Sequence, residues 1–213
     1  MPALSRRTLA ILAFAAGLTA LISISPPIPA AADDGDLANT LRAGGFVIVL
    51  RHGATFPDQA DTDPLHPDNI AAQRKLNDQG KALAKSFGDA LRQIGVPVGK
   101  VYTSMFNRAY ETAVLAGFTD IEKTADLTEG GVLVSLNENR RRSEALRKIL
   151  GTPPKAGTNT VLITHGPNIL YALGKDWFGV NEGEASIFRP ENGGYKLIAR
   201  VQMDEWPRLA AAK

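Results

Sequence analysis

Phe46-Val47-Ile48-Val49-Leu50-Arg51-His52-Gly53 is the stretch that decides the fold. Its first five residues are apolar and three of them are β-branched, a pattern typical of a strand whose two faces are both covered by helices. The strand leads directly into Arg51 and His52. Because ligand sites in open α/β sheets lie just beyond the carboxyl ends of the strands, this arginine and this histidine are candidate functional residues.

The rest of the chain alternates between strand and helix patterns. Two further strands are predicted at Val98–Thr103 and Thr160–Thr164, and a hairpin is predicted over 185–189 and 195–201. Helices are predicted over 36–42 (capped by Asp36), 76–94, 104–116, 137–150 and 167–173. This order predicts an α/β fold, a three-layer sandwich with a mostly parallel sheet and helices on both faces.

The composition is that of a globular protein. Of the 213 residues, 44% are hydrophobic and 22% are charged, which suits one domain with a full core. The absence of cysteine from the sequence excludes disulfides and thiolate catalysis.

Residues 1–32 are predicted to be a cleaved signal peptide, followed by a single domain over 33–213. Arg6 and Arg7 precede an apolar run over 9–24, and Ala30-Ala31-Ala32 supplies a cleavage site. An uncleaved anchor is the alternative, and the paired arginines also resemble a twin-arginine signal. The protein is therefore expected to be periplasmic or secreted, with no stable membrane span after cleavage.

Charge argues against a nucleic-acid partner. Removing the predicted signal lowers the basic residues from 24 to 22, equal to the 22 acidic residues. A neutral mature chain does not suggest a broad nucleic-acid-binding face.

Two of the three histidines share one context. His52 and His165 each follow a strand pattern and each precede a glycine, while Arg108 lies in the first turn of the helix after the second strand. Arginine matches phosphate oxygens in two-pronged hydrogen bonds. Two arginines and one imidazolium would offset a phosphoryl dianion, and the other imidazole could attack phosphorus.

Two polar segments are candidates for further sites. The loop over 54–72 is long enough to be a functional lid, and His66 within it is expected at the surface, with a lid contact as the alternative. Arg140-Arg141-Arg142 is expected to be a solvated helix face, with an anion contact as the alternative.

Three motifs resemble the signatures of the histidine phosphatase superfamily, which has the phosphoglycerate-mutase-like fold. They are Leu50–Thr55, Ser104–Ala113 and Leu162–Gly166, and Leu76 with Gly80 resembles the helix start of the same family. The resemblance covers roughly residues 46–188 and points to the simpler phosphatase branch.

The resemblance implies roles for individual residues. His52 would be the nucleophile that becomes phosphohistidine, and Arg51, Arg108 and His165 would bind the phosphate. No metal and no cofactor are implied. The substrate would be a small-molecule or glycan phosphoester.

The proton donor is the least determined part of the site. The mutase-type acid motif is absent from the sequence, which favours a hydrolase over a mutase, and Asp58 stands where the family often has asparagine. Glu184, just before the strand that follows the second histidine, is the preferred candidate acid. Glu129, in Leu127-Thr128-Glu129, is its rival.

Two other classes of function are alternatives to a phosphatase. The first is a non-catalytic phosphate- or phosphoglycan-binding module that retains the pocket. The second is an exported serine hydrolase that uses Ser104 and His165, which is disfavoured because the sequence has no Gly-x-Ser-x-Gly elbow.

Overall fold

The structure, a computed structural model, describes residues 34–129 and 134–212. The predicted signal peptide lies outside the described residues. Cleavage after Ala32 and the domain start at residue 33 therefore stay predictions.

Six helices and six strands make up the described part of the chain. The helices are α1 (Asp34–Ala43), α2 (Asp78–Ile94), α3 (Asn107–Leu115), α4 (Leu136–Leu150), α5 (Gly166–Leu173) and α6 (Trp206–Ala211). The strands are β1 (Val47–Arg51), β2 (Val98–Ser104), β3 (Ile121–Thr124), β4 (Asn159–Thr164), β5 (Ala185–Glu191) and β6 (Gly194–Val201). Short 3-10 turns lie at Ile70–Ala72, Ala125–Leu127 and Lys175–Trp177.

The strands form one mixed sheet in the order β3-β2-β4-β1-β5-β6. The first four strands of this order are parallel, and β5 and β6 form an antiparallel hairpin beside β1. The carboxyl ends of β1, β2 and β4 consequently lie at the same edge, which brings the segments after Arg51, Ser104 and Thr164 together.

Helices cover both faces of the sheet, and alternate residues of β1 therefore pack into different cores. Ile48 and Leu50 pack with α1, α2, α3 and α6, whereas Val47 and Val49 pack with α4 and α5. The predicted α/β sandwich with a mostly parallel sheet is confirmed.

Several element boundaries differ from the prediction. Helix α1 begins at Asp34, so Asp36 lies in its first turn and is not its cap. Strand β2 continues to Ser104, which pairs with Thr124 of β3, and α3 starts only after Phe106. Helix α6 was not predicted. In the part of the chain that the structure describes, no helix is long and apolar enough to span a membrane.

Candidate active site

The end of β1 holds His52 by its backbone. Its N–H donates to the carbonyl of Thr164 in β4 (3.0 Å), and its carbonyl accepts from the N–H of Gly183 (2.9 Å). Residues on both sides of β1 thus hold His52 at the carboxyl edge of the sheet, where the side chain is almost wholly buried.

The hydrogen bonding of His52 determines which ring nitrogen can react. Nδ1 lies 2.9 Å from the carbonyl oxygen of Gly53. A carbonyl can only accept, so in the neutral ring the proton is on Nδ1 and the lone pair is on Nε2. Burial, followed by the charge of Arg108, lowers the pKa of His52 well below its usual 6.5. At neutral pH the ring is therefore uncharged and Nε2 can act as a nucleophile.

His165 precedes α5 and lies beside His52, with ring centroids 5.1 Å apart and planes at 60°. Oγ of Ser104 has two possible acceptors for its one proton, Nε2 of His165 at 2.7 Å and Oγ1 of Thr128 at 3.3 Å, and the shorter contact assigns the proton to His165. The proton of the ring is then on Nδ1.

The sequence analysis expects one charged imidazolium in the pocket, but His165 is uncharged in this structure. Burial and the nearby Arg108 lower the pKa of His165 well below 6.5, so this ring too is neutral at pH 7. A phosphoryl dianion would have to raise that pKa before the ring could carry charge.

The two predicted arginines reach this edge from different elements. Arg51 donates from Nη1 to the carbonyl of Val180 (2.6 Å), and Arg108, wholly buried, donates from Nη1 to Asp61 (2.9 Å). Three buried atoms, Nε of Arg51, Nε of Arg108 and Nδ1 of His165, have no hydrogen-bond partner among the described residues. Such atoms are suited to binding an anion.

Of the two candidate acids, only Glu129 contacts the pocket. Its carboxylate pairs with Arg108 and lies 3.4 Å from Nδ1 of His165. The Glu184 carboxylate binds Arg200 and the N–H of Asn181. Within the described ranges it has no contact with either histidine. The preference for Glu184 over Glu129 is therefore corrected, because the strand after Glu184 directs its side chain to Arg200.

Sequence reasoning missed Glu182, although it lies two residues before Glu184. Its carboxylate accepts from the N–H (3.0 Å) and Oγ1 (2.6 Å) of Thr55 and pairs with Arg51 at 3.4 Å. Glu182 therefore positions Arg51 and ties the segment after His52 to the loop before β5.

Sequence reasoning also missed Arg74, whose charge is among those that lower the pKa of His52 and His165. An antiparallel bridge between Thr55 and Leu76 closes the long loop and brings Arg74 back towards the pocket. The sequence feature that could have indicated Arg74 is its position at the end of that loop, two residues before Leu76.

The long loop over 54–72 contributes a different acid from the one noted in the sequence. Asp58 is exposed, whereas Asp61 binds both Arg108 and the N–H of Arg74. The side chain of His66 is 74% exposed and pairs with Asp63, as expected of a surface residue.

The arginine run on α4 is only partly a solvated face. Arg141 binds Glu138 and Asp126 at the surface, but the side chain of Arg142 is largely buried and donates to the carbonyl of Thr128. The expectation of a solvated face is therefore wrong for Arg142.

Comparisons with known proteins agree with this fold. A family model described as the histidine phosphatase superfamily (branch 1) matches residues 47–134. No curated protein is significantly similar to the chain in sequence.

Solved structures show the same fold at low identity. The protein histidine phosphatase SixA complexed with tungstate has 19% identity and a TM-score of 0.54, over 75% of this chain and 98% of that one. A mutant phosphoserine phosphatase from Entamoeba histolytica, in complex with phosphoserine, has 14% identity and a TM-score of 0.51, over 74% and 97%. YhfR from Bacillus stearothermophilus has 15% identity and a TM-score of 0.52, over 72% of this chain and 95% of that one. Over residues 47–134 this chain is therefore similar to the histidine phosphatase superfamily, branch 1, and it shares the α/β fold of these phosphatase structures.

Proposed function

We propose that this protein is an exported phosphatase that hydrolyses phosphomonoesters through a phosphohistidine on Nε2 of His52. The observation that carries the proposal is the state of that ring. It is neutral, its Nδ1 proton is donated to Gly53, and its Nε2 has no hydrogen-bond partner among the residues described. Arg51 and Arg108 lie close enough for their charges to lower its pKa.

In the first step, the phosphoryl group binds to Arg51 and Arg108, whose Nε donors are unpaired within the described structure. Nε2 of His52 attacks phosphorus and the ester P–O bond breaks. The electron pair goes to the leaving oxygen, which takes up a proton, and Glu129 is the proposed general acid that delivers it. The contact of Glu129 with Arg108 and His165 supports this role.

In the second step, water attacks phosphorus and the P–Nε2 bond breaks, with the electron pair returning to His52. The Glu129 carboxylate takes the proton from the water, and inorganic phosphate leaves. Arg51, Arg108 and Arg74 provide the positive charge that the equatorial oxygens need in both transition states. We therefore expect turnover to need no added metal and to continue in the presence of a chelator.

Two alternatives are weaker. A non-catalytic phosphate-binding module would not need an acid, whereas Glu129 contacts the pocket; turnover of an aryl phosphate would exclude the module.

A serine hydrolase gains support from the 2.7 Å contact between Ser104 and His165. However, Oγ of Ser104 also accepts from Phe106 N–H and lies 3.3 Å from Thr128, contacts that hold the start of α3. Labelling of Ser104 by a phosphonofluoridate would favour the hydrolase.

Trapping the intermediate tests the proposal. Protein denatured shortly after mixing with a radiolabelled phosphomonoester should carry acid-labile, alkali-stable phosphate. His52→Ala should carry none, because the attacking nitrogen is missing. His66→Ala, which changes an exposed histidine, should be labelled like the wild type. Label retained by His52→Ala would rule out the proposed nucleophile.

Export is the part of the proposal that rests on the sequence alone. Arg6-Arg7, the apolar run and Ala30-Ala31-Ala32 support it. We expect the exported protein to begin at Asp33, which mass determination of the mature chain would check.

A further inference from the structure

A cavity of about 580 Å³ opens beside Glu129, between α4 and α5. Its lining includes Glu129, Leu136, Asn139, Arg142, Asn168 and Tyr171. This volume is within the usual range of small-molecule sites.

Glu129 connects this cavity to the phosphate pocket. It contacts Arg108 and His165 and also lines the cavity. If Glu129 protonates the leaving oxygen, as proposed above, that oxygen must lie within hydrogen-bond reach of it. The remainder of the leaving group then extends into the cavity.

Asn168 indicates what kind of group the cavity binds. This side chain is only 8% exposed, and its Nδ2 donates to the carbonyl of Thr128 (3.2 Å). Its Oδ1 has no partner within the described part of the chain. A buried amide oxygen is unfavourable when it is unpaired, and it can only accept, so it is satisfied by an O–H or N–H of a ligand.

The charges of the lining favour an uncharged ligand body. The cation of Arg142 is already balanced, because it pairs with Glu138 at 2.9 Å and donates to Thr128. Beyond Glu129 and Arg142, the described lining is amide, hydroxyl and apolar. The exposed side chains of Leu136 and Tyr171 can contact the C–H faces of a ring.

We propose that this cavity is the leaving-group subsite and that it selects an uncharged, hydroxyl-bearing leaving group, that of a sugar or polyol phosphate. The proposal rests on the proposed function. It assigns Asn168 as a specificity-determining residue that accepts from a substrate hydroxyl.

A substrate comparison tests the proposal. Initial rates would be measured with hexose 6-phosphates, glycerol 3-phosphate, phosphoserine and p-nitrophenyl phosphate. The wild type should prefer the hexose phosphates to phosphoserine by about tenfold or more in kcat/KM. Asn168→Leu removes the acceptor at similar size. Since a hydroxyl then loses its partner, the ratio of kcat/KM for the hexose phosphate to that for the aryl phosphate should fall about tenfold, mainly through KM.

The same substitution outside the cavity is the control. Asn137 is exposed on α4 and is not part of the lining, so Asn137→Leu should leave the ratio unchanged. A wild type with no preference for hexose phosphates would overturn the subsite proposal, as would an Asn168→Leu variant with an unaltered ratio. Absence of turnover on every ester, aryl phosphate included, would instead overturn the proposed function and the subsite with it.

Discussion

Glu129 and Glu184 show how contacts separate two carboxylates that look alike in the sequence. Glu129 contacts Arg108 and His165, whereas Glu184 is bound by Arg200. The first is therefore the proton donor in the proposed mechanism. The second holds the loop over 181–184, whose residue Gly183 donates to the carbonyls of Arg51 and His52.

We expect Glu129→Gln to lower kcat on alkyl phosphates by about 10²- to 10⁴-fold, the usual contribution of a general acid. The loss should be smaller on p-nitrophenyl phosphate, because that leaving group needs no proton. Steady-state kinetics on the two substrates would check this. The fold should survive, since the amide keeps the shape of the side chain.

Glu184→Gln is the matched comparison. It should retain most of the activity while losing about 1–3 kcal/mol of unfolding free energy, because buried hydrogen bonds to a charged group are weakened. If Glu184→Gln showed the leaving-group dependence and Glu129→Gln did not, the assignment of the acid would be reversed.

At the scale of elements, the start of α2 and the segment after β1 fit together without space for a side chain. Asn77 caps α2 by accepting from the N–H of Gly80 (2.8 Å), and its own N–H donates to the carbonyl of Ala54 (3.0 Å). A Cβ on Gly80 would lie 2.1 Å from that carbonyl oxygen. The backbone contact therefore fixes the segment that carries His52.

Gly80→Ala should consequently cost about 1–3 kcal/mol of unfolding free energy, as overpacking does. It should also lower kcat/KM at least tenfold in the folded protein, because small displacements of a nucleophile are costly. Chemical denaturation and kinetics would measure the two effects. A Cβ on Gly194 would have its nearest contact 3.7 Å away, so Gly194→Ala should change neither the unfolding free energy nor kcat/KM by much. Full activity in a stable Gly80→Ala protein would contradict the proposed contact.

The sequence predicted those site residues whose positions follow from strand ends. Arg51, His52 and His165 lie where an apolar strand stops, and Arg108 lies in the helix turn that follows β2. Parallel strands bring such positions together whatever the loops do.

The residues that were missed depend on single contacts between loops. Glu182 lies near Arg51 because Thr55 donates a hydrogen bond to Glu182. Arg74 lies near the pocket because Thr55 pairs with Leu76, two residues further along the chain. Neither contact has a periodic pattern in the sequence. Helix α6 escaped prediction for a similar reason, since it has only six residues. It is held by Trp206, wholly buried against Phe87 with ring centroids 5.0 Å apart.

At the scale of the whole molecule, the sheet buries two histidines beside three arginines at its carboxyl edge. His52 and His165 are almost wholly buried, and burial and the charges of Arg51, Arg74 and Arg108 lower the pKa of both rings. In the unfolded chain the same histidines titrate near 6.5. Folding therefore prevents these two positions from binding protons over a range of pH below 6.5.

The free energy of unfolding should consequently depend on pH. Below pH 6.5 the unfolded chain takes up protons at His52 and His165 that the folded protein does not, so stability falls as the pH falls towards the lowered pKa values. Each group contributes up to about 1.4 kcal/mol per pH unit in that window. Urea unfolding between pH 8 and pH 5.5, in buffers without phosphate, would measure the slope. Replacing both histidines by asparagine should flatten it, whereas His66→Asn should not, because His66 is exposed. An equal slope in the double variant would mean that other groups cause the pH dependence.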